Sequence, residues 1–270
     1  MKKEDVIEYA KTTCMFVKRM IDEEVMQGYS FVRWGGMMQN KSMNTLCCEL
    51  AGVNNWWKFC EDTTLTSDDL FNTVIKVSEK LGDECLDKWN KENYFITRLI
   101  KTRVAFSDEM YLDAIGCRKN PNKYDQLWDN EIGGILFDMK NTYVPDGMFF
   151  NDFKRVEDIL NNPSGFIKTL YKSSSSTKGG SERGEIGKMN GRFFIINHSD
   201  LRRNNMYLIE SGYNARYRIF DEVVSKFSDK NVFELDVLNN SDGKTYRVKS
   251  SILVITQNID GSIQHFLLES

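Results

Sequence analysis

The stretch WDNEIGGILFDMKNT, residues 128–142, constrains the fold more than any other part of the chain. Gly133 and Gly134 separate two segments of strand-like apolar content, and a two-residue glycine loop favours a hairpin because both positions accept positive φ. Counting outward from that loop sets Ile132 opposite Ile135, Glu131 opposite Leu136, Asn130 opposite Phe137 and Asp129 opposite Asp138. Side chains alternate faces along a strand, so Asp138 and Lys140 point the same way, together with Leu136 and Thr142. Directly opposed Cβ atoms lie roughly 5 Å apart, so two carboxylates and an ammonium converge on one small patch.

The segments around the hairpin define its setting. The first ninety residues read as mostly helical: VIEYAKTTCMFVKRMIDEEVM has helical spacing, and Asp68 and Asp69 open a second amphipathic run where acidic residues suit a helix N-terminus. Gly35 and Gly36 mark a turn between them, and Trp56 and Trp57 read as core-filling aromatics. A helix is expected over about 93–116, the hairpin over 125–143, and helical pieces from MFFNDFKRVEDIL through Lys172, with Pro163 near the start of the second. The Ser- and Gly-rich run 173–190 reads as a flexible loop, GRFFIINHS as a buried strand, and 206–227 as a helix. Beyond Asn231, apolar runs separated by Asp242-Gly243 and Asp260-Gly261 predict a three-stranded meander.

Composition removes several function classes. No apolar run approaches the roughly 20 residues needed to span a bilayer, and acidic residues interrupt the N-terminus before any signal-like segment, so a cytoplasmic protein without a membrane partner is expected. Six cysteines without CxxC spacing and only two histidines, His198 and His265, argue for buried free thiols rather than zinc. The same scarcity leaves no Ser–His–Asp or Cys–His arrangement, and His198 reads as a satisfied polar residue at a strand end. A net charge of −3 excludes bulk electrostatic coating of nucleic acid, though not a local basic groove.

Opposed carboxylates repel unless one is protonated or a cation neutralises them. A divalent metal is the simplest neutraliser, and Mg²⁺ commonly takes one or two carboxylates while keeping several waters. A lysine on the same face would orient an attacking water or stabilise charge developing on a phosphoryl oxygen, which points to metal-assisted phosphodiester hydrolysis. The alternative is a cross-strand salt-bridge cluster on a solvated sheet face. Two further D-x-K instances, Asp152-Phe-Lys154 and Asp242-Gly-Lys244, fall in an expected helix and turn and have no carboxylate opposite.

Asp129, Asp138 and Lys140, spaced D-x8-D-x-K across a hairpin, resemble the motif of the PD-(D/E)XK nuclease superfamily, the restriction-endonuclease-like fold. The resemblance covers about residues 93–227. It implies an α/β (α+β) architecture, with a core of a small mixed sheet flanked by helices over 91–270 and a helical N-terminal region over 1–90. It also implies Asp129 and Asp138 as ligands of Mg²⁺ or Mn²⁺, the Met139 carbonyl as a third, and Lys140 as the catalytic lysine. Glu109 would be the helix carboxylate, with Glu131 as an accessory. Trp128 stands where the motif name has proline, and Asp125 rivals Asp129 if the turn is longer than two residues. The implied activity is endonucleolytic cleavage of DNA in restriction, repair or mobile-element defence; RNA as substrate and a homodimer are both compatible with it. A non-catalytic nucleic-acid or protein binding module of the same fold is the alternative.

Charge distribution adds to this. Residues 165–203 hold Lys168, Lys172, Lys178, Arg183, Lys188, Arg192, Arg202 and Arg203 against Glu182, Glu185 and Asp200, and Arg216 and Arg218 follow. Such a stripe would neutralise phosphates, and Arg192 is expected to meet the scissile phosphate; a solvated basic loop is the alternative. Removing Asp138 or Lys140 from a crowded patch is expected to leave the fold intact.

Overall fold

The computed structural model describes residues 1–23, 48–49, 52–81, 88–122, 127–145, 153–174, 191–199, 210–239, 243–258 and 260–270. Over these residues it has a mixed α/β architecture with seven α-helices and a six-stranded, partly parallel sheet. Two compact units are formed, one from 1–111 and 205–216, the other from 112–204 and 217–270.

The first unit is helical. It contains α1 (Lys3–Asp22), α2 (Trp56–Glu61), α3 (Ser67–Leu81) and the larger part of α4 (Lys88–Ile115). Helix α3 begins at a reciprocal cap: the Asp69 N–H donates to Thr66 Oγ1 at 3.2 Å while the Thr66 N–H donates to Asp69 Oδ2 at 2.8 Å. The Thr66 hydroxyl, donating to Asp69 Oδ2 at 2.7 Å, and after it the Thr66 N–H hold the Asp69 carboxyl below its ordinary range. Phe16, Met20, Trp56, Phe59, Leu70, Val74, Ile96 and Leu99 form the core. Trp56 is buried but Trp57 is 56% exposed, which corrects the expectation that both pack; successive residues on a helix are turned by about 100°, and this turn points Trp56 inward with Phe59 and Cys60 and Trp57 outward.

Two buried arginines organise this unit. Arg103 donates from Nε to Thr13 Oγ1 at 2.9 Å and from a terminal nitrogen to the Cys60 carbonyl at 3.3 Å, and it covers the Tyr9 ring at 4.1 Å. Arg216 forms a two-pronged pair with Asp108, one bond measuring 2.6 Å, with both side chains buried. Its charge is therefore engaged inside the helical unit and does not extend a surface stripe. Asp108→Ala takes the carboxylate from this buried guanidinium and should lower stability by about 3–5 kcal/mol in urea denaturation.

The second unit is built on the sheet. Its strands are β1 (Asn130–Ile132), β2 (Ile135–Pro145), β3 (Gly191–Ser199), β4 (Phe233–Asn239), β5 (Lys244–Gln257) and β6 (Ile263–Leu267). The order is β1-β2-β3-β5-β4, with β6 also on β5. Strands β2, β3 and β5 run parallel, and residues 191–198 of β3 are all buried, as a parallel strand covered on both faces requires. The expected C-terminal meander forms: β4 pairs antiparallel with the first half of β5 and β6 with the second.

Helices α5 (Val156–Asn161) and α6 (Pro163–Ser174) pack Ile159, Phe166, Ile167, Leu170 and Tyr171 against Phe194, Ile196, Ile252 and Val254 of the sheet. Helix α7 (Glu210–Lys226) precedes a 3₁₀ turn at Asp229–Asn231. Cys14, Cys60 and Cys117 are buried free thiols, and burial pushes Cys117 up to about 11.

The hairpin loop is fixed as the two glycines demand, with φ of 59° at Gly133 and 80° at Gly134. Phe137 lies edge-on to Phe193 at 5.4 Å and to Phe227 at 5.8 Å. Gly191, opposite Phe137 across the parallel pair, leaves room for this ring: a Cβ there would sit 2.6 Å from Phe137 Cε1. Gly191→Ala should therefore cost about 1–3 kcal/mol of stability in urea denaturation.

Candidate functional site

Strand pairing builds the site from three chain segments. The hairpin register is the expected one for Asn130–Phe137, Glu131–Leu136 and Ile132–Ile135. It does not continue to an Asp129–Asp138 pair. The Asp129 N–H donates at 2.8 Å to the carbonyl of Phe137, the residue already opposite Asn130, so two residues face one as in a β-bulge. Residues 118–120 pin the bulge from its other side: the Asn120 N–H donates to the Asp129 carbonyl at 2.9 Å, and Asn120 Nδ2 to the Trp128 carbonyl at 2.8 Å. The bulge re-aims the Asp129 side chain, whose Oδ2 accepts the Met139 backbone N–H at 2.7 Å. Asp129 thus acts on the peptide joining Asp138 to Met139 rather than facing Asp138 directly.

Asp138 is buried, and both of its oxygens are engaged by cations. Lys140, two residues on and on the same face, brings Nζ to Oδ1. Arg192, directly opposite Asp138 in the parallel β2–β3 pair, donates from Nε to Oδ2 at 3.2 Å. The Tyr171 ring from α6 lies 5.1 Å from the Arg192 guanidinium, and the Tyr171 and Ser250 hydroxyls are 3.0 Å apart. Burial raises the Tyr171 pKa, against the opposing influence of Arg192 and the Ser250 hydrogen bond, so the phenol stays protonated.

The formal charges of Asp129, Asp138, Lys140 and Arg192 cancel. Where the hairpin spacing points to a metal as the simplest neutraliser, the fold supplies two protein cations. Among the described residues no group of three or more His, Cys, Asp or Glu side chains is spaced to hold a metal. The donors that are present suit a hard cation: two carboxylates gathered about one peptide, with backbone carbonyl and water to complete an oxygen shell. Lys140 is the more accessible counter-ion of the two, so Oδ1 is the oxygen a metal would compete for.

The other expected site residues fall as follows. Glu131 shares the Asp138 face, but its carboxylate accepts Arg118 Nε at 2.6 Å. Glu109 lies on α4 within the helical unit, where its charge acts on Tyr9. Lys168 is exposed on α6, and Lys172 lies on the same helix. Arg192, expected to meet a phosphate, is instead 2% exposed and bound to Asp138. Arg202, Arg203, Asp125, the Gly35-Gly36 turn, Asp152, Asp242 and the loop 175–190 with Lys178, Arg183 and Lys188 lie outside the described residues. His198 is buried near the end of β3, between Val144 and Thr256.

The roles of Arg192, Tyr171 and Ser250 around Asp138 could not be read from spacing. They depend on a parallel register joining positions 54 residues apart.

No family model, curated protein or solved structure matches the chain.

The geometry overturns the expectation that Asp138 can be removed without cost. Its loss takes the carboxylate from the buried Arg192, whereas Lys140 is partly solvated. Asp138→Ala should lose about 3 kcal/mol or more of stability, and Lys140→Ala less than about 1 kcal/mol. Urea denaturation of the two variants beside wild type checks the contrast.

Proposed function

We propose that the chain is a metal-dependent endonuclease of the PD-(D/E)XK kind, hydrolysing phosphodiester bonds of DNA in the cytoplasm. The observation that carries this reading is the contact of Lys140 with the buried Asp138 beside the Asp129 carboxylate, on a hairpin of a mixed sheet flanked by helices. Asp138 through Oδ1, Asp129 and the Met139 carbonyl would hold Mg²⁺ or Mn²⁺. A bound ion of this kind lowers the pKa of a coordinated water and polarises a phosphoryl oxygen. The chain's own contribution is to fix the two carboxylates and to keep an ammonium, Lys140, at the place where negative charge grows on the phosphate. Lys168, Lys172, Arg202 and Arg203 would neutralise flanking phosphates.

A non-catalytic role, as a binding module that keeps the fold, is favoured by one observation: Lys140 and Arg192 already balance the two aspartates. A nicking assay separates the two. Supercoiled plasmid with Mg²⁺ or Mn²⁺ should be nicked by wild type, with at least about a hundredfold loss in Asp138→Asn and Lys140→Ala, because the first weakens a metal ligand and the second removes the ammonium acting on the reacting phosphate. Nicking that survives chelation of the metal, or that is equal in all three proteins, contradicts the proposal. A structured RNA in place of the plasmid tests the substrate, and sedimentation with and without DNA tests a homodimer.

A further inference from the structure

Asp138 is held by two cations that differ in whether they can leave. Lys140 reaches Oδ1 from a side chain that is 39% exposed, on a flexible four-carbon stem, while Arg192 reaches Oδ2 from one that is 2% exposed. Withdrawing Lys140 breaks one partly solvated ion pair, and its ammonium then hydrates.

Arg192 has no such route. Tyr171 lies over its guanidinium, the Tyr171 hydroxyl is tied to Ser250, and Arg192 stands in register between Asp138 on β2 and Ser250 on β5. Leaving Oδ2 would separate a buried guanidinium from a buried carboxylate with no water to take the place of the lost contact.

We infer that Arg192 is a positioning residue that permanently holds Oδ2 of Asp138, and that Lys140 is an exchangeable counter-ion which leaves Oδ1 when a divalent cation binds. The inference rests on the metal-site reading above and adds the order of events at that site. Metal uptake is then a competition with an internal ammonium, and Asp138 ligates through one oxygen only. Single-oxygen ligation suits Mg²⁺ and Mn²⁺ in octahedral geometry; Ca²⁺ takes more oxygens and often both from one carboxylate. The exchange also changes the site's charge. The four side chains are neutral together without metal, and a divalent cation makes the site doubly positive while releasing Lys140 for an anionic substrate.

The test is calorimetric titration of Mn²⁺ into the full chain of wild type, Lys140→Met and Arg192→Lys, with thermal melts to verify each fold. Removing the competitor in Lys140→Met should lower the Mn²⁺ Kd by at least about threefold. Arg192→Lys keeps the charge but loses the fork that fixes Oδ2, and should raise the Kd by about tenfold or more, as loss of a partner of a metal ligand does. Ca²⁺ should bind wild type at least about tenfold more weakly than Mn²⁺.

Unchanged or weaker Mn²⁺ binding in Lys140→Met overturns the exchange, whatever becomes of the arginine variant. Wild-type affinity in a folded Arg192→Lys overturns the positioning role; if that variant does not fold, equal Ca²⁺ and Mn²⁺ affinity in wild type overturns it. A wild type that takes up no Mn²⁺ overturns the metal site itself and this inference with it, so the wild-type titration tells the two failures apart.

Discussion

The sheet unit depends on one buried pair: Asp138 and Arg192, opposite each other where β2 and β3 run side by side. Neither charge is tolerable at that depth alone, and each makes the other admissible. A one-residue slip between the strands would turn Asp138 and Arg192 to opposite faces, so the pair also fixes the register of the parallel ladder. Everything near the site is referred to that register. Phe137 meets Gly191, Lys140 shares the Asp138 face, and Ser250 on β5 lies where Tyr171 can reach it.

Around this pair the sequence sorts small and large residues with consequence. Gly191 occupies the one position where a side chain would strike the Phe137 ring, and that ring joins β2 to Phe193 and Phe227. On the opposite face, α6 brings both apolar packing and the Tyr171 ring that covers Arg192. The result is a polar cluster with a rigid inner member and an accessible outer one, set beside a bulge that turns Asp129 toward the same peptide. Under the proposed function, such a cluster would be a salt bridge in the absence of metal and an oxygen-ligand set in its presence. The proposed nuclease chemistry and the proposed exchange of Lys140 both use that double character.

Much of the fold was legible because local rules decided it. Two adjacent glycines set the hairpin loop and hence three residue pairs; the FFII run in β3 declared a buried strand; Asp260-Gly261 divided β5 from β6. Asp138 and Lys140 sharing a face followed from strand alternation alone. What failed depended on longer range or on backbone irregularity. The bulge at Asp129 has no signature in the hairpin itself, since it is held by residues 118–120. Arg192 was read as a surface cation because its partner lies on a parallel strand, and Arg216 because its partner lies on another helix. Trp57 was assigned to the core by residue type although its helix turns it to solvent.

The central claim is that the Asp138 cluster is a metal site in which Lys140, and not Arg192, gives way. The most direct measurement is anomalous scattering at the manganese edge from crystals soaked in Mn²⁺. The account predicts a peak beside Asp138 Oδ1, with Asp129 or the Met139 carbonyl in its shell, Lys140 moved away and Arg192 still on Oδ2. A cluster that carries no peak at saturating Mn²⁺, with Lys140 still on Oδ1, would contradict it and leave the four charges as a structural ion-pair cluster.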